Sequence, residues 1–218
     1  TAFVVRAQAA RTVDVAGPRP KAQALRLTPT VDGDLAEWTQ EPTVVLGPEQ
    51  AAKVDAYGGP DDLSARVWIA ADDEFCYIAA DVIDDVHVQE NTTKMMWNGD
   101  CLQVDLRPGV PPSRNNFEGV CEIGLALTEA GPQLWQWTPA ERLVEDGKVA
   151  IVRDGTHTRY EAAVPWSALP RISHAPGGVN AFSLTVNETD EETFGGWLEW
   201  TPGICGGKDS SQFGRIVF

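Results

Sequence analysis

Recognition chemistry needs side chains that stack, donate and accept, and residues 95–105, MMWNGDCLQVD, bring all three together. Trp97 precedes a turn-like Asn98-Gly99, and a strand pattern follows in which apolar and polar positions alternate. Leu102, Val104 and Leu106 share one face, while Cys101, Gln103 and Asp105 share the other. Such a polar face with an aromatic at its mouth is either ordinary solvated surface or the floor of a sugar site. A sugar asks for a flat apolar ring to meet its C–H face and for planar amides and carboxylates to pair with its hydroxyls. A second aromatic motif is QLWQW, where Trp135 and Trp137 stand two apart and so share one face of a strand. They read as a stacking platform or as two rings packed in the core, the latter being the commoner use. Trp197, behind Gly195 and Gly196, is a further aromatic at the approach to a strand.

Acidic residues offer other chemistry. Asp105 and Glu122 would be the pair to do acid–base work on a glycosidic bond. No nucleophile elbow, HExxH or glycine-rich phosphate loop accompanies them, so catalysis is not expected. Carboxylates also cluster at 72–74 (DDE), 83–86 (IDDV) and 187–192 (NETDEE). Hard cations want several oxygen ligands, and without EF-hand spacing a site here would be assembled from separate loops. His87 lies beside one such cluster; His157 and His174 read as loop residues, and none of the three repeats at metal-ligand spacing. The four cysteines form no CxxC, and Cys76, Cys101 and Cys121 fall inside strand patterns, where they read as small buried hydrophobes. In an oxidising compartment Cys101 and Cys205 would be the pair to close a disulfide.

The elements that must position these residues are strands. RVWIAAD, the turn DDE and FCYIAADVID form a hairpin signal, and DCLQVDL, GVCEIGLAL, QLWQW, KVAIVRD, TRYEAAVPW, NAFSLTVNETD, GWLEWTP and GRIVF follow. Helical periodicity is nearly absent, apart from one turn expected in WSALPRI before Pro170. Short strands at regular spacing predict an all-β fold, an antiparallel β-sandwich. Residues 1–25 read as an N-terminal arm or linker with an edge strand at Ala2 to Val5, and residues 26–218 as the sandwich domain. The chain has 218 residues, of which 43% are hydrophobic, enough for one packed core. Its net charge of −15 argues against a nucleic-acid partner, and no run of ~18 apolar residues is present to cross a membrane. A start at Thr1 suggests a piece of a longer secreted protein.

Three stretches in order carry a resemblance: TVDGDLAEW; DEFCYIAADVIDD with WNGDCLQVDL; and RYEAAVPWSAL, FSLTVNETD, LEWTP and SSQFGRIVF. Together, from about residue 27 to 218, they resemble the family 9 carbohydrate-binding modules of xylanases and related secreted enzymes. The resemblance implies a β-sandwich of immunoglobulin-like or jelly-roll type, bound structural calcium and a sugar slot on one face. Trp97 falls where the family carries one of two tryptophans that clamp a sugar, and Gln103 where it has an acidic hydrogen-bonding residue. Glu122 stands about where the family has an arginine, Thr185 where it has a glutamine, and Asn187 is retained. The second clamp tryptophan falls at Gly207, so the clamp is half missing. The family position makes Asp84 the first calcium candidate, with Asp32 and Asp34 next.

The expected function is therefore a non-catalytic, extracellular module that binds plant-type polysaccharide of the cellulose or xylan class. Trp97, Gln103, Glu122, Asn187 and Trp137 would contact sugar, and a covalently linked catalytic domain would be the partner. Two alternatives stand beside it. One is a structural accessory domain that binds no sugar. The other is a haem-binding electron-transfer domain of related fold, with Met95, Met96 and Lys94 near the candidate slot.

Overall fold

The computed structural model describes residues 19–51, 53–190 and 194–218. Its first strands are β1 (Lys21–Gln23), β2 (Leu25–Arg26), β3 (Val44–Leu46), β4 (Lys53–Val54) and β5 (Leu63–Ala71). Then come β6 (Phe75–Asp84), β7 (Cys101–Pro108), β8 (Cys121–Thr128), β9 (Gly131–Thr138) and β10 (Arg142–Leu143). The chain closes with β11 (Lys148–Asp154), β12 (His157–Pro165), β13 (Val179–Glu188), β14 (Gly196–Glu199) and β15 (Gly214–Val217). They build two sheets. The larger has the order β1-β15-β13-β7-β8-β9-β10, with β14 also on β13 and β4 on β14. The smaller has the order β11-β12-β6-β5-β2, with β3 also on β5.

The inner faces carry the apolar half of each alternating strand. Leu102, Val104 and Leu106 of β7, Ile123 and Leu125 of β8 and Leu184 of β13 meet Val67, Ile69, Ile78, Val82 and Tyr160 of the smaller sheet. The sandwich read from the sequence is therefore present, and WSALPRI supplies its expected turn as a 3₁₀ segment, Trp166–Ala168. Two pairings depart from an all-antiparallel reading: β1 with β15 and β2 with β5 run parallel. One short segment thus stitches the edges of both sheets, reinforced where the Ala24 N–H donates to the Val217 carbonyl at 2.9 Å. This segment falls within the stretch read as an arm, so the sandwich begins no later than Lys21. The edge strand expected at Ala2 to Val5 lies outside the described residues.

The outer face of the smaller sheet is closed by the segment leading to Trp38. Trp38, Trp68, Ala70, Tyr77 and Ala79 pack there, flanked by Leu27, Val31 and Leu35. Glu161 lies beneath, accepting from Trp38 Nε1 at 2.7 Å and from the backbone N–H groups of Asp32 and Gly33 at 3.0 and 2.8 Å. That is why VDGDLAEW is structural: its turn is built on one buried carboxylate. All four cysteines are free. The disulfide expected between Cys101 and Cys205 is not formed. Cys205 Sγ instead sits 3.9 Å from Thr185 Oγ1 and 3.8 Å from Asn187 Oδ1, and Gln103 Nε2 lies 3.8 Å from Cys101 Sγ.

Candidate functional site

The outer face of the larger sheet carries the polar half of the same alternation. Register sets its floor: Gln103 pairs with Thr185 on one side and Gly124 on the other, and Asp105 with Ser183 and Glu122. A β-bulge on β9 adds one ring. Glu122 faces Thr138 and Ile123 faces Gln136, so Trp137 is the extra residue between them. Its ring lies over Gly124, where an added Cβ would fall 2.4 Å from Trp137 Cη2. A glycine is required on the floor for the indole to lie there.

One wall is the 3₁₀ segment Thr93–Asn98. Met96 anchors it, fully buried with Cys101, Ala126 and Trp135, so its neighbours Met95 and Trp97 face outward, 44% and 41% exposed. Polar side chains hold its backbone. Gln89 Nε2 donates to the carbonyls of Met96 and Asp100, Trp137 Nε1 to that of Lys94 and Asn187 Nδ2 to that of Trp97, all within 2.6–2.9 Å. The wall continues through Phe194, edge-on to Trp97 at 6.1 Å, to Trp197, nearly parallel to Phe194 at 6.1 Å. The segment Ile204–Lys208 forms the far lip. There Gly206 lies against the Trp197 ring, whereas a Cβ on Gly207 would meet nothing within 4 Å. These parts enclose a pocket of about 560 Å³ lined by Trp97, Gln103, Glu122, Trp137, Phe194, Trp197 and the lip.

Its ionisable groups are paired across the cleft. Lys94 lies 3.4 Å from Glu141 at the rim, and the Lys208 ammonium donates to Glu122. Asp105 beside them is fully buried, with neither carboxylate oxygen hydrogen-bonded among the described residues. Burial, then the Glu122 charge, pushes its pKa well above the carboxylate range, against the pull of Lys208. Burial works against the charge on Lys208, but Glu122 and Asp105 outweigh it and raise its pKa. Asp105 is thus sealed from any substrate and Glu122 is held by a lysine, so this pair is not placed to flank a glycosidic bond.

Beyond the end of β13, carboxylates converge. Asp84, Glu188 and Asp190 bring oxygens within 4.8 Å of one another, as do Asp62, Asp85 and Asp190. Glu188 is 3% exposed and, among the described residues, neither of its oxygens has a hydrogen-bond partner at ordinary geometry. Burial and the charges of Asp100 and Asp84, with Asp190 adding to them, push it up to about 10. Asp84 also accepts from Arg153 Nη1 at 3.2 Å. His87 joins Asp84 and Asp100 in a third cluster. Burial opposes the charge on His87, but the Asp100 and Asp84 carboxylates, 3.2 and 3.8 Å from its Nδ1, favour the protonated ring and carry it up to about 9.

Of the residues read from sequence, Trp97, Gln103, Glu122 and Trp137 line one pocket. Asn187 does not line it; its amide is spent holding the Trp97 carbonyl, which makes it a positioning residue. Trp135 packs beneath the 3₁₀ wall rather than between the sheets. Asp84 lies in the carboxylate cluster, but Asp32 and Asp34 join no such group among the described residues. Their side chains accept from the N–H groups of Asp34 and Ala36, which caps a turn. Met96 is a packing residue and Met95 a rim residue, so no pair of axial ligands is assembled there. Sequence reasoning passed over Phe194 and Lys208, and reached Glu188 only as one member of the NETDEE cluster. The FGGW spacing was the one local signal for the first; the role of the other two depends on contacts between distant segments.

A family model described as carbohydrate family 9 binding domain-like matches residues 31–218. No curated protein matches the chain. Among solved structures, a carbohydrate binding module family 9 from Caldicellulosiruptor kristjanssonii in complex with cellotriose superposes with a TM-score of 0.70 at 16% identity, covering 91% of this chain and 93% of that one. A family 9 module from the same organism in complex with glucose gives a TM-score of 0.66 at 17% identity, covering 91% and 95%.

Proposed function

The chain belongs to the carbohydrate family 9 binding domain-like family, a family of non-catalytic modules, and from that premise we propose that its aromatic-walled pocket is a slot for a plant-type glycan of the cellulose or xylan class. One observation carries the reading. Trp97, Phe194, Trp197 and Trp137 surround a floor of Gln103 and Glu122 in a single pocket. Aromatic faces bury the apolar side of a pyranose, and the amide and carboxylate orient it through its hydroxyls. Trp197 and Phe194 stand on the side left bare by Gly207, and so compensate for the missing half of the clamp. In a secreted protein the module would hold a linked catalytic domain near insoluble polysaccharide and raise its effective concentration.

Calcium is the second part of the proposal. Asp84, Glu188 and Asp190 would hold it, and the unpartnered, buried Glu188 carboxylate supports that assignment, because a divalent cation would satisfy both of its oxygens. The ion would be structural, tying the end of β13 to the end of β6.

Isothermal titration against cellobiose, xylobiose and soluble xylan tests the sugar reading. Trp97→Ala is expected to abolish the heat while moving the melting point little, since that ring is 41% exposed. An unaltered isotherm in this variant would place the sugar elsewhere; no heat with any ligand would leave a structural accessory domain.

A further inference from the structure

We infer that Lys208 is a sugar-binding residue, and that its pairing with Glu122 sets the charge of ligand the pocket admits. The inference rests on the pocket being the sugar slot. Lys208 comes from the lip, not from the sheet, and its ammonium reaches Glu122 across the floor. An ammonium has three donors and no acceptor. Glu122 takes one of them, and the Phe117 ring, 5.6 Å from the Lys208 nitrogen, covers a second side. The side chain is 45% exposed, so the group remains open to a ligand hydroxyl. Glu122 is oppositely placed: its side chain is 6% exposed, and it is in register with the sealed Asp105.

Charge balance follows from these pairings. Lys208 is matched by Glu122 and Lys94 by Glu141, and the sealed Asp105 beside them adds no positive charge. Among the described residues no further cation lines the pocket to receive a carboxylate, and the whole chain carries a net charge of −15. An anionic sugar would lose its hydration without gaining a counter-charge, which is costly. An uncharged ring would gain the Lys208 donor and the Glu122 acceptor at once. Selectivity is thus held in one ion pair. Removing the carboxylate alone frees the lysine; removing the lysine alone strands a buried carboxylate; removing both restores neutrality.

The test is a titration series with neutral xylotetraose and with tetragalacturonate, a uronic acid oligomer of the same length. Wild type, Glu122→Gln, Lys208→Met and the double variant are compared, with Trp97→Ala as reference. Wild type is expected to bind the neutral oligomer at least about ten-fold more tightly than the uronate. Glu122→Gln narrows or reverses that ratio by freeing Lys208. Lys208→Met weakens neutral binding by about ten-fold or more, and the double variant recovers much of the loss, a non-additivity that a purely structural lysine would not give. Thermal melts of each variant separate a binding loss from an unfolded protein. If Trp97→Ala abolishes binding while the Glu122 and Lys208 variants keep the wild-type ratio, the sugar slot stands and this inference is overturned. If wild type binds neither oligomer, nor any other sugar, the slot itself is refuted and the inference with it.

Discussion

The two outer faces of the sandwich treat buried carboxylates in opposite ways. On the smaller sheet, Glu161 is 1% exposed and accepts three hydrogen bonds, from Trp38 Nε1 and two backbone N–H groups. On the larger sheet, Asp105 and, at the end of β13, Glu188 are equally withdrawn from water but have no hydrogen-bonded partner among the described residues. A buried charge is tolerated when its lone pairs are filled; one left bare either binds a proton or waits for a cation. The partnered acid therefore marks the face that is finished as structure. The unpartnered acids lie on the other face, Asp105 sealed beneath the pocket and Glu188 in the carboxylate cluster at the end of β13. The aromatics divide in the same way: Trp38 and Trp68 pack into a closed layer, tilted at 44° with centroids 6.5 Å apart, whereas Trp97 and Trp197 rim an open pocket.

Three substitutions break or sharpen this contrast. The largest effect is expected from Glu161→Ala, which strands Trp38 Nε1 and two backbone donors at once. Urea denaturation should show a loss of about 3 kcal/mol or more, since a bond to a charged group contributes about 1.5–3 kcal/mol. Sugar affinity in the folded fraction should not change; if it falls, the two faces are coupled and the contrast is false. Next comes calcium. Chelation of the calcium-loaded wild type should lower the melting point by about 5–10 °C, from about 2.7 kcal/mol of binding linkage at a hundred-fold excess over Kd. Glu188→Gln should remove the response to chelator and, in chelator, melt higher than wild type. Equal chelator sensitivity in both proteins would take Glu188 out of the site.

The smallest effect belongs to Asp105. Its pKa is raised in the folded protein, so its contribution to stability is fully present below the unfolded-state value of about 4 and is lost as the pH rises through the folded value. Asp105→Asn keeps the shape without the titration. At pH 7 it should be more stable than wild type, because wild type must there keep Asp105 protonated or bury its charge, at about 1.4 kcal/mol per unit of pKa shift titrated, and near pH 3 the difference should vanish. A stability difference that stays constant between pH 3 and 7 would mean that the Asp105 pKa is the same folded and unfolded, and one that moves in wild type's favour as the pH rises would mean that Asp105 is charged and paired in the native state.

Much of the fold was legible because it is written in local alternation. The strand reading of RVWIAAD and FCYIAADVID became β5 and β6, and DCLQVDL presents the two faces that its odd and even positions imply. The site was legible only in part. Trp97, Gln103 and Glu122 announce themselves by type and position, but the aim of Trp137 depends on a bulge that no periodicity shows. Asp32 and Asp34 look like ligands in one dimension and prove to be turn caps, because the carboxylate that organises their loop, Glu161, is 127 or more residues away in the chain, as the separations of 129 and 128 to Asp32 and Gly33 record.

By itself, then, the sequence determined the strands, the apolar core between them and the presence of an aromatic, polar face, since each follows from residue type at a period of two. Only the tertiary structure decided which groups on that face meet. Phe194 and Trp197 extend the Trp97 wall because β14 folds back on β13, and Lys208 finds Glu122 across 86 residues of chain. Asn187 is taken out of the pocket because its amide is needed for a backbone carbonyl. Pairings of this kind come from chain topology, and topology is fixed by how the whole core packs, not by any local run of residues.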